Sequence, residues 1–379
     1  MIVSLCKEVG DWTILGEQVT LLCKRRAQLP KVVQTIIQQA YSYISDTPDE
    51  DVKKKFIQVL REVSEGKIFV ELERARMTRM LAEMEEKAGD EAAAVALLLE
   101  CNAETIGSME IKEKAELLLE QIRLCVATKD YIRAEIIMSK VTAKVLDDAT
   151  LQDLRLKYYN LCIGFYLHFN RYIDACKAYL ALYATPVIQE DEKQWRPALS
   201  HASLLCILSP YDHEMSDLLA RISAEKKLEK LARLQAILGQ FSTLELINWP
   251  LGAGEHLKTH NLFSDMEHGE TRWSDLRKRA VQHNLRVLST YYTFITYTRA
   301  AELLNLDTDE LEESLSALVS KGVLYAKIDR PAGIITFQKK QTSDEVLNAW
   351  VNDIDSLLSL VEDTCHMINR ENMVHGIKA

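Results

Sequence analysis

The 379-residue sequence predicts an all-α chain: an α-solenoid of helical repeats, then a winged-helix unit with a small β wing, then a long C-terminal helix. Three observations carry that prediction. Apolar residues recur at i, i+3 and i+4 through the first two-thirds, as in Val32, Val33, Ile36, Ile37, Ala40, Tyr41 and Ile44. That is the spacing of one buried helix face. A Tyr-Ile-x-Ala signature occurs twice, at Tyr131–Ala134 and Tyr172–Ala175, 41 residues apart. Finally, 13 Gly and 7 Pro in 379 residues are less than half the ~12% of average usage, so long helices with short connections replace a turn-rich β architecture.

The elements follow in order. Leu15, Val19 and Leu22 open the helical pattern, and Pro30 interrupts it before the stripe that ends at Ile44. Further stripes run from Phe69 to Met84 and from Ala115 to Val126. The segments LCVATKDYIRAEII and LCIGFYLHFNRYIDACKA align on Leu-Cys and on Tyr-Ile-x-Ala. Glu91–Ala94 falls near the same phase upstream, and Tyr211 lies 39 residues after Tyr172. A period near 40 with two helices per unit marks a solenoid, because one hairpin cannot bury its own apolar face and stacking supplies the core. This repeat region is assigned to residues 1–228.

The texture changes near Pro250, where NWPLGAGEHLKTH carries a Pro and two Gly and must contain a loop. RWSDLRKRAVQHNLRVLSTYYTFI returns to helix, and Tyr297–Leu304 reads as a short helix. Asp307 or Thr308 caps another helix running to Lys321, with Gly322 as the residue that ends it. VLYAKID and IITFQ, joined by Arg330–Gly333, form a hairpin. Three helices and a two-stranded wing make a winged helix at about 283–340, within a domain assigned to 229–340. The remainder, 341–379, holds an amphipathic helix from Ser343 to Arg370, striped by Leu347, Trp350, Val351, Ile354, Leu357, Leu358, Val361, Cys365 and Ile368. A helix of that kind beyond a finished domain needs an apolar partner.

Composition narrows the function. A net charge of −10 argues against a chain that coats nucleic acid. No apolar run reaches the ~18–20 residues of a membrane span, and MIVSLCKEVGDW has no basic region leading into an apolar one, so it is not a signal peptide. Eight cysteines without a C-x-x-C pair, mostly inside apolar helical patterns, read as reduced, buried thiols of a cytoplasmic or nuclear protein.

No phosphate-cradling G-x-x-x-x-G-K-[ST] loop, G-x-S-x-G elbow or H-x-H…S-x-x-D zinc motif occurs. His256 and His260 have zinc-like spacing, but Leu257 stands where H-E-x-x-H needs glutamate, and they are read as solvated or capping residues. His213-Glu214 has no second histidine. Neither catalytic, cofactor-binding nor metal-binding residues are assigned, and the chain is expected not to be an enzyme. A winged helix raises the possibility of nucleic-acid binding. Residues 271–340 hold 11 Lys/Arg against 8 Asp/Glu, yet the helix that would enter a groove carries Asp309, Glu310, Glu312 and Glu313. Those carboxylates repel phosphate.

Helical repeats feeding a winged helix and a long terminal helix resemble the PCI-domain scaffold proteins shared by the proteasome lid, the COP9 signalosome and a translation initiation factor complex. YYTFITYTRAAELLNLDTDELEESLSALVSKGVLYAKIDRPAGIITF is similar to a PCI winged helix throughout. GKIFVELERARMTRML, GSMEIKEKAELLLEQIRLCVATKDYIRAEII, LKYYNLCI and RWSDLRKRAVQHNLRVLSTYYTFIT resemble the proteasome lid PCI-domain subunit family in particular, from about Gly66 to Phe337. The resemblance implies that members of that family begin with further helical repeats, so the chain is expected to be shorter at its amino end, as a truncated chain would be.

The resemblance implies TPR-like repeats and a non-catalytic scaffold of the 19S regulatory particle lid of the 26S proteasome, without cofactor, supporting ATP-dependent degradation of ubiquitinated proteins. Implied partners are the other PCI subunits of the lid, its zinc deubiquitinase subunits, and the proteasomal ATPase ring and core particle; membrane and nucleic acid are not expected. The alternatives are a PCI scaffold subunit of the COP9 signalosome and a nucleic-acid-binding winged helix. Two assembly surfaces are expected. One is the wing, at Val323, Tyr325, Ile328, Ile334, Ile335 and Phe337, through free backbone edges. The other is the terminal helix, at Leu347, Trp350, Ile354, Leu357, Leu358 and Val361.

Overall fold

A computed structural model describes every residue except 1, 26–27, 48, 142–150, 252–256, 259, 265–267, 339–341 and 377–379. The chain divides into two compact units, Met1–Ser209 and Pro210–Ala379.

The first unit is helical. It opens with α1 (Ile2–Val9), α2 (Trp12–Lys24), α3 (Pro30–Tyr43) and α4 (Glu50–Ser64). Pro30 starts α3 rather than breaking it, since its missing N–H would have no helical acceptor there. Leu15, Val19, Ile37, Ile57 and Leu60 are buried together at this end. Then come α5 (Glu71–Ala88) and α6 (Glu91–Leu99), α7 (Ile111–Ala127) and α8 (Tyr131–Lys140), and α9 (Gln152–His168) and α10 (Tyr172–Tyr183). A short five-residue helix, Pro186–Glu190, leads to α11 (Glu192–Leu208).

The first helices of successive pairs begin at Glu71, Ile111, Gln152 and Glu192, which is the 40-residue period read from the sequence. The same turn closes each of the first three pairs. Gly89, Lys129 and Asn170 take positive φ of 92°, 61° and 53°. The next N–H then reaches back five residues: Asp90 to the Glu85 carbonyl at 3.1 Å, Asp130 to Cys125 at 2.9 Å, Arg171 to Tyr166 at 3.0 Å. This is a Schellman turn, which satisfies the orphan carbonyls of the first helix. Asp90 and Asp130 cap the second helix at once. The repeated alanines Ala94, Ala134 and Ala175 are fully buried, so the signature marks where helices approach most closely. Tyr131 packs across the repeat boundary, 4.4 Å from the His168 ring and 5.2 Å from Phe169.

Lysine is a poor occupant of the left-handed region, where a Cβ crowds the carbonyl at a cost of about 1–2 kcal/mol. Lys129→Gly is therefore expected to stabilise the chain by roughly 0.5–1 kcal/mol, after allowing for the added freedom of the unfolded glycine. Urea titration of both chains measures it, and a destabilised K129G would contradict this account of the turn.

Charged side chains tie neighbouring repeats together. Arg76 holds Glu113 with two bonds, at 2.6 and 2.9 Å. Arg123 grips Glu86 likewise at 2.6 and 2.7 Å, and Arg79 meets Glu116 at 3.1 Å. Each pair spans 37 residues, nearly one repeat. The arginines hold the Glu86 and Glu113 carboxyls below the usual carboxylate range through these hydrogen bonds.

The second unit begins with α12 (His213–Ser223) and α13 (Ala232–Ser242). Tyr211 precedes α12 by two residues, because Asp212 caps that helix through the His213 N–H. The long α14 (Gly269–Tyr291) organises the rest. Its Asn284 amide exchanges two hydrogen bonds with the Ile247 backbone, at 2.8 and 2.9 Å. At its start only glycine fits, since a Cβ at Gly269 would stand 2.3 Å from the Phe263 carbonyl oxygen. Then follow β1 (Phe294–Thr296), α15 (Tyr297–Leu304), α16 (Thr308–Ser320), β2 (Lys327–Asp329), β3 (Ile334–Thr336) and α17 (Ser343–His375). Asp307 caps α16, and Asn305 and Gly322 provide left-handed ends to α15 and α16. Leu285, Leu288, Ile295, Leu311, Leu315, Leu318 and Ile335 form the core of this winged helix.

Candidate assembly surfaces

Among the described residues, no group of three or more His, Cys, Asp or Glu could hold a metal ion. His256 lies outside the described residues, and the His260 Nδ1 accepts the Leu262 N–H at 3.4 Å, which is capping behaviour. No described helix is long and apolar enough to cross a membrane. None of the eight cysteines is joined in a disulfide, and five of them are buried.

The wing is a three-stranded antiparallel sheet in the order β1-β3-β2. The expected edge along Ile334–Phe337 is corrected by this order: β3 is the middle strand and is paired on both sides. The third strand, β1, had looked like the end of a helix in sequence. Ile335 is 0% exposed and Phe337 is buried, both inside the winged-helix core. Val323 and Ile328 pack partly against that core, Ile334 is half-buried, and Tyr325 is 45% exposed.

Ladder alternation locates the edge that remains. The Phe337 N–H bonds the Thr293 carbonyl and the Tyr297 N–H bonds the Gly333 carbonyl, both at 2.9 Å. Ile335 therefore exchanges its bonds with Ile295, while Ile334 and Thr336 turn theirs toward Asp329 and Lys327. The N–H and C=O of Ile328 are left pointing away from β3. Beside the opposite edge, Tyr291, Tyr292 and Phe294 are exposed aromatics. The assigned residues did not include them, although the run YYTF carries the signal.

The acidic helix α16 uses two of its carboxylates inside the unit. Glu312 pairs with Arg330, and Glu310 lies 3.3 Å from Arg277. Arg277 and Arg330 thus each face one of the chain's own acids.

The terminal helix α17 runs 33 residues, about 50 Å, and extends past the expected end at Arg370. A capping box starts it: the Glu345 N–H bonds Thr342 Oγ1 at 3.3 Å and the Thr342 N–H bonds Glu345 Oε2 at 2.9 Å. Gly376 ends it with φ 64°. No residue of α17 is buried. Trp350 is 62% exposed and even Ile354 is 40% exposed; Leu347, Leu357, Leu358 and Val361 are equally uncovered.

Leu347, Ile354, Val361 and Ile368 recur every seven residues, flanked by Trp350 and Leu357 on one side and by Val351, Leu358 and Cys365 on the other. A further row, Val346, Leu360 and Met367, was not in the stripe read from the sequence; it is exposed as well and widens the face. Such a width exceeds the narrow seam of a two-stranded coiled coil and suits a helix with neighbours on two sides.

Comparison with known proteins adds three family matches. PSMD12/CSN4, N-terminal, covers residues 1–191; the PCI domain covers 255–339; and the 26S proteasome regulatory subunit RPN5 C-terminal domain covers 344–376. The chain is 42% identical to a 26S proteasome non-ATPase regulatory subunit 12 of Dictyostelium discoideum over 380 residues, 99% of this chain and 84% of that protein. It is 39% identical to homolog B of the same subunit from Arabidopsis thaliana, covering 99% of this chain and 91% of the relative. With the 26S proteasome regulatory subunit RPN5 of Saccharomyces cerevisiae it shares 37% over 383 residues, 100% of this chain and 86% of the other.

Proposed function

Because the chain belongs to the family of 26S proteasome non-ATPase regulatory subunit 12, also named RPN5, we propose that it is a scaffold of the 19S lid that joins its neighbours through its winged helix and α17. One observation carries the reading of how it works: a 33-residue helix, capped at both ends and apolar over a broad face, with no buried residue. A helix that exposes so much apolar surface is built to be covered by another protein.

The scaffold is non-catalytic in this proposal. The absence of nucleotide, nucleophile and zinc motifs from the sequence supports that part. The finer partner set is the other PCI subunits, the zinc deubiquitinase subunits of the lid, and the ATPase ring and core particle. The compartments are cytoplasm and nucleus, in keeping with mostly buried thiols that form no disulfide. The functional division is repeats over 1–228, PCI domain over 229–340 and bundle helix over 341–379.

The COP9 signalosome is the alternative assembly. PSMD12/CSN4 as a description spans two lineages, whereas the C-terminal domain and the named relatives point to the proteasome alone. Mild-salt purification of the tagged chain followed by mass spectrometry tests this. Proteasomal lid, ATPase and core chains are the expected co-purifying set; recovery of a signalosome in their place overturns the assignment.

A further inference from the structure

The charge pattern of α17 says which helices can cover it. The helix carries seven Asp and Glu against a single Arg, Arg370. Between Asp353 and Asp363 it has four carboxylates and no Lys or Arg. Asp355 and Glu362, seven residues apart, run beside the edge formed by Val351, Leu358 and Cys365. Asp353 falls in the row of Leu360 and Met367, with Asp363 beside it, so acids line both borders of the apolar face.

This acidic block straddles Ser359, the midpoint of Ser343–His375. Two copies of the helix would therefore bring block against block whether they paired parallel or antiparallel. Like charges so placed within about one Debye length, roughly 8 Å at physiological salt, oppose pairing, while flanking charges of opposite sign select a partner.

Resting on the reading of α17 as an assembly helix, we infer that its face accepts amphipathic helices whose apolar stripe is bordered by Lys and Arg, and that the acidic block prevents the chain from pairing with itself. The uncovered helix thus stays available for a basic-bordered partner although its apolar face is open.

The test uses the full chain and two synthetic 28-residue helices with one identical apolar stripe, bordered by Lys in the first and Glu in the second. Fluorescence anisotropy at 50 and 300 mM NaCl reads binding, and sedimentation velocity reads self-association. The Lys-bordered helix is expected to bind at least ten-fold more tightly at low salt, with the gap narrowing at high salt. The chain alone is expected to sediment as a monomer. A variant with Asp353→Asn, Asp355→Asn, Glu362→Gln and Asp363→Asn is expected to lose the preference and to self-associate.

A second variant, Ile354→Ser with Val361→Ser, keeps every acid and is expected to lose both peptides, which separates docking on the face from plain attraction to an acidic protein. Equal affinity for both peptides, or a wild-type dimer at low salt, overturns the charge selection while leaving the assembly helix standing. Binding of neither peptide to the folded chain overturns both, as does undiminished binding to the double Ser variant.

Discussion

A chain ending at Thr342 melts within about 1 °C of the full chain and does not enter the lid. No residue of α17 is buried, so removing the helix uncovers no core and costs the isolated protein almost nothing. In an assembly the same helix matters greatly. Burying Trp350, Ile354, Leu357, Leu358 and Val361 at roughly 1.5–3 kcal/mol each gives a nominal ~10 kcal/mol, of which association and ordering take a large part. Differential scanning calorimetry of the two chains, and native gels of lid assembled with each, measure the contrast. The truncated chain is expected in the lid band at no more than about a tenth of the wild-type amount, a loss that corresponds to ~1.4 kcal/mol or more. Several degrees lost in isolation would show that the face lies on the chain's own surface, and normal melting with normal assembly would refute its role.

Two proline substitutions in the wing, seven residues apart, have opposite consequences. Ile335 sits in the middle of the middle strand, fully buried. Ile335→Pro removes a ladder donor and a core side chain together, a loss of about 3–5 kcal/mol that unfolds the winged helix. Ile328 lies on the outer strand with its N–H turned outward, where proline is tolerated. Ile328→Pro keeps the fold, apart from a modest loss of packing, and weakens lid assembly by removing a donor that a neighbour's strand would use. Near-UV circular dichroism and lid yield are measured for both. An I328P chain that folds and assembles at wild-type yield would refute edge pairing; a folded I335P chain would refute the strand order.

The helical part was legible because its signals are local. The buried Ala94, Ala134 and Ala175 repeat with the helix pairs, and Asp307 and Gly322 sit where capping chemistry places them. The helix faces of α3 and α17 follow directly from their apolar spacing. What escaped was decided by distant residues. Phe294–Thr296 is a strand only because Ile334–Thr336 comes to lie beside it, and three residues carry no period of their own. That missing strand pairs the expected edge at Ile334–Phe337 and leaves the other, at Ile328, on the outside. Lys129 was illegible for another reason: lysine gives no hint of a left-handed backbone, and its φ of 61° is imposed by the hairpin on either side. The width of the α17 face went partly unread because Val346, Leu360 and Met367 flank the main stripe instead of continuing it.

The ion pairs that lace the repeats bear on the order in which the first unit folds. Arg76–Glu113, Arg79–Glu116 and Glu86–Arg123 each close a stretch of about one repeat. Loop-closure entropy grows only with the logarithm of the stretch closed, so adding repeats lengthens the unit without lengthening any of these closures. Folding in such a ladder is a matter of nearest neighbours: once two hairpins have met, the next docks on a finished surface at the same entropic cost. The first unit can therefore grow from any point as a zipper does, its speed set by one repeat and not by the length of the whole.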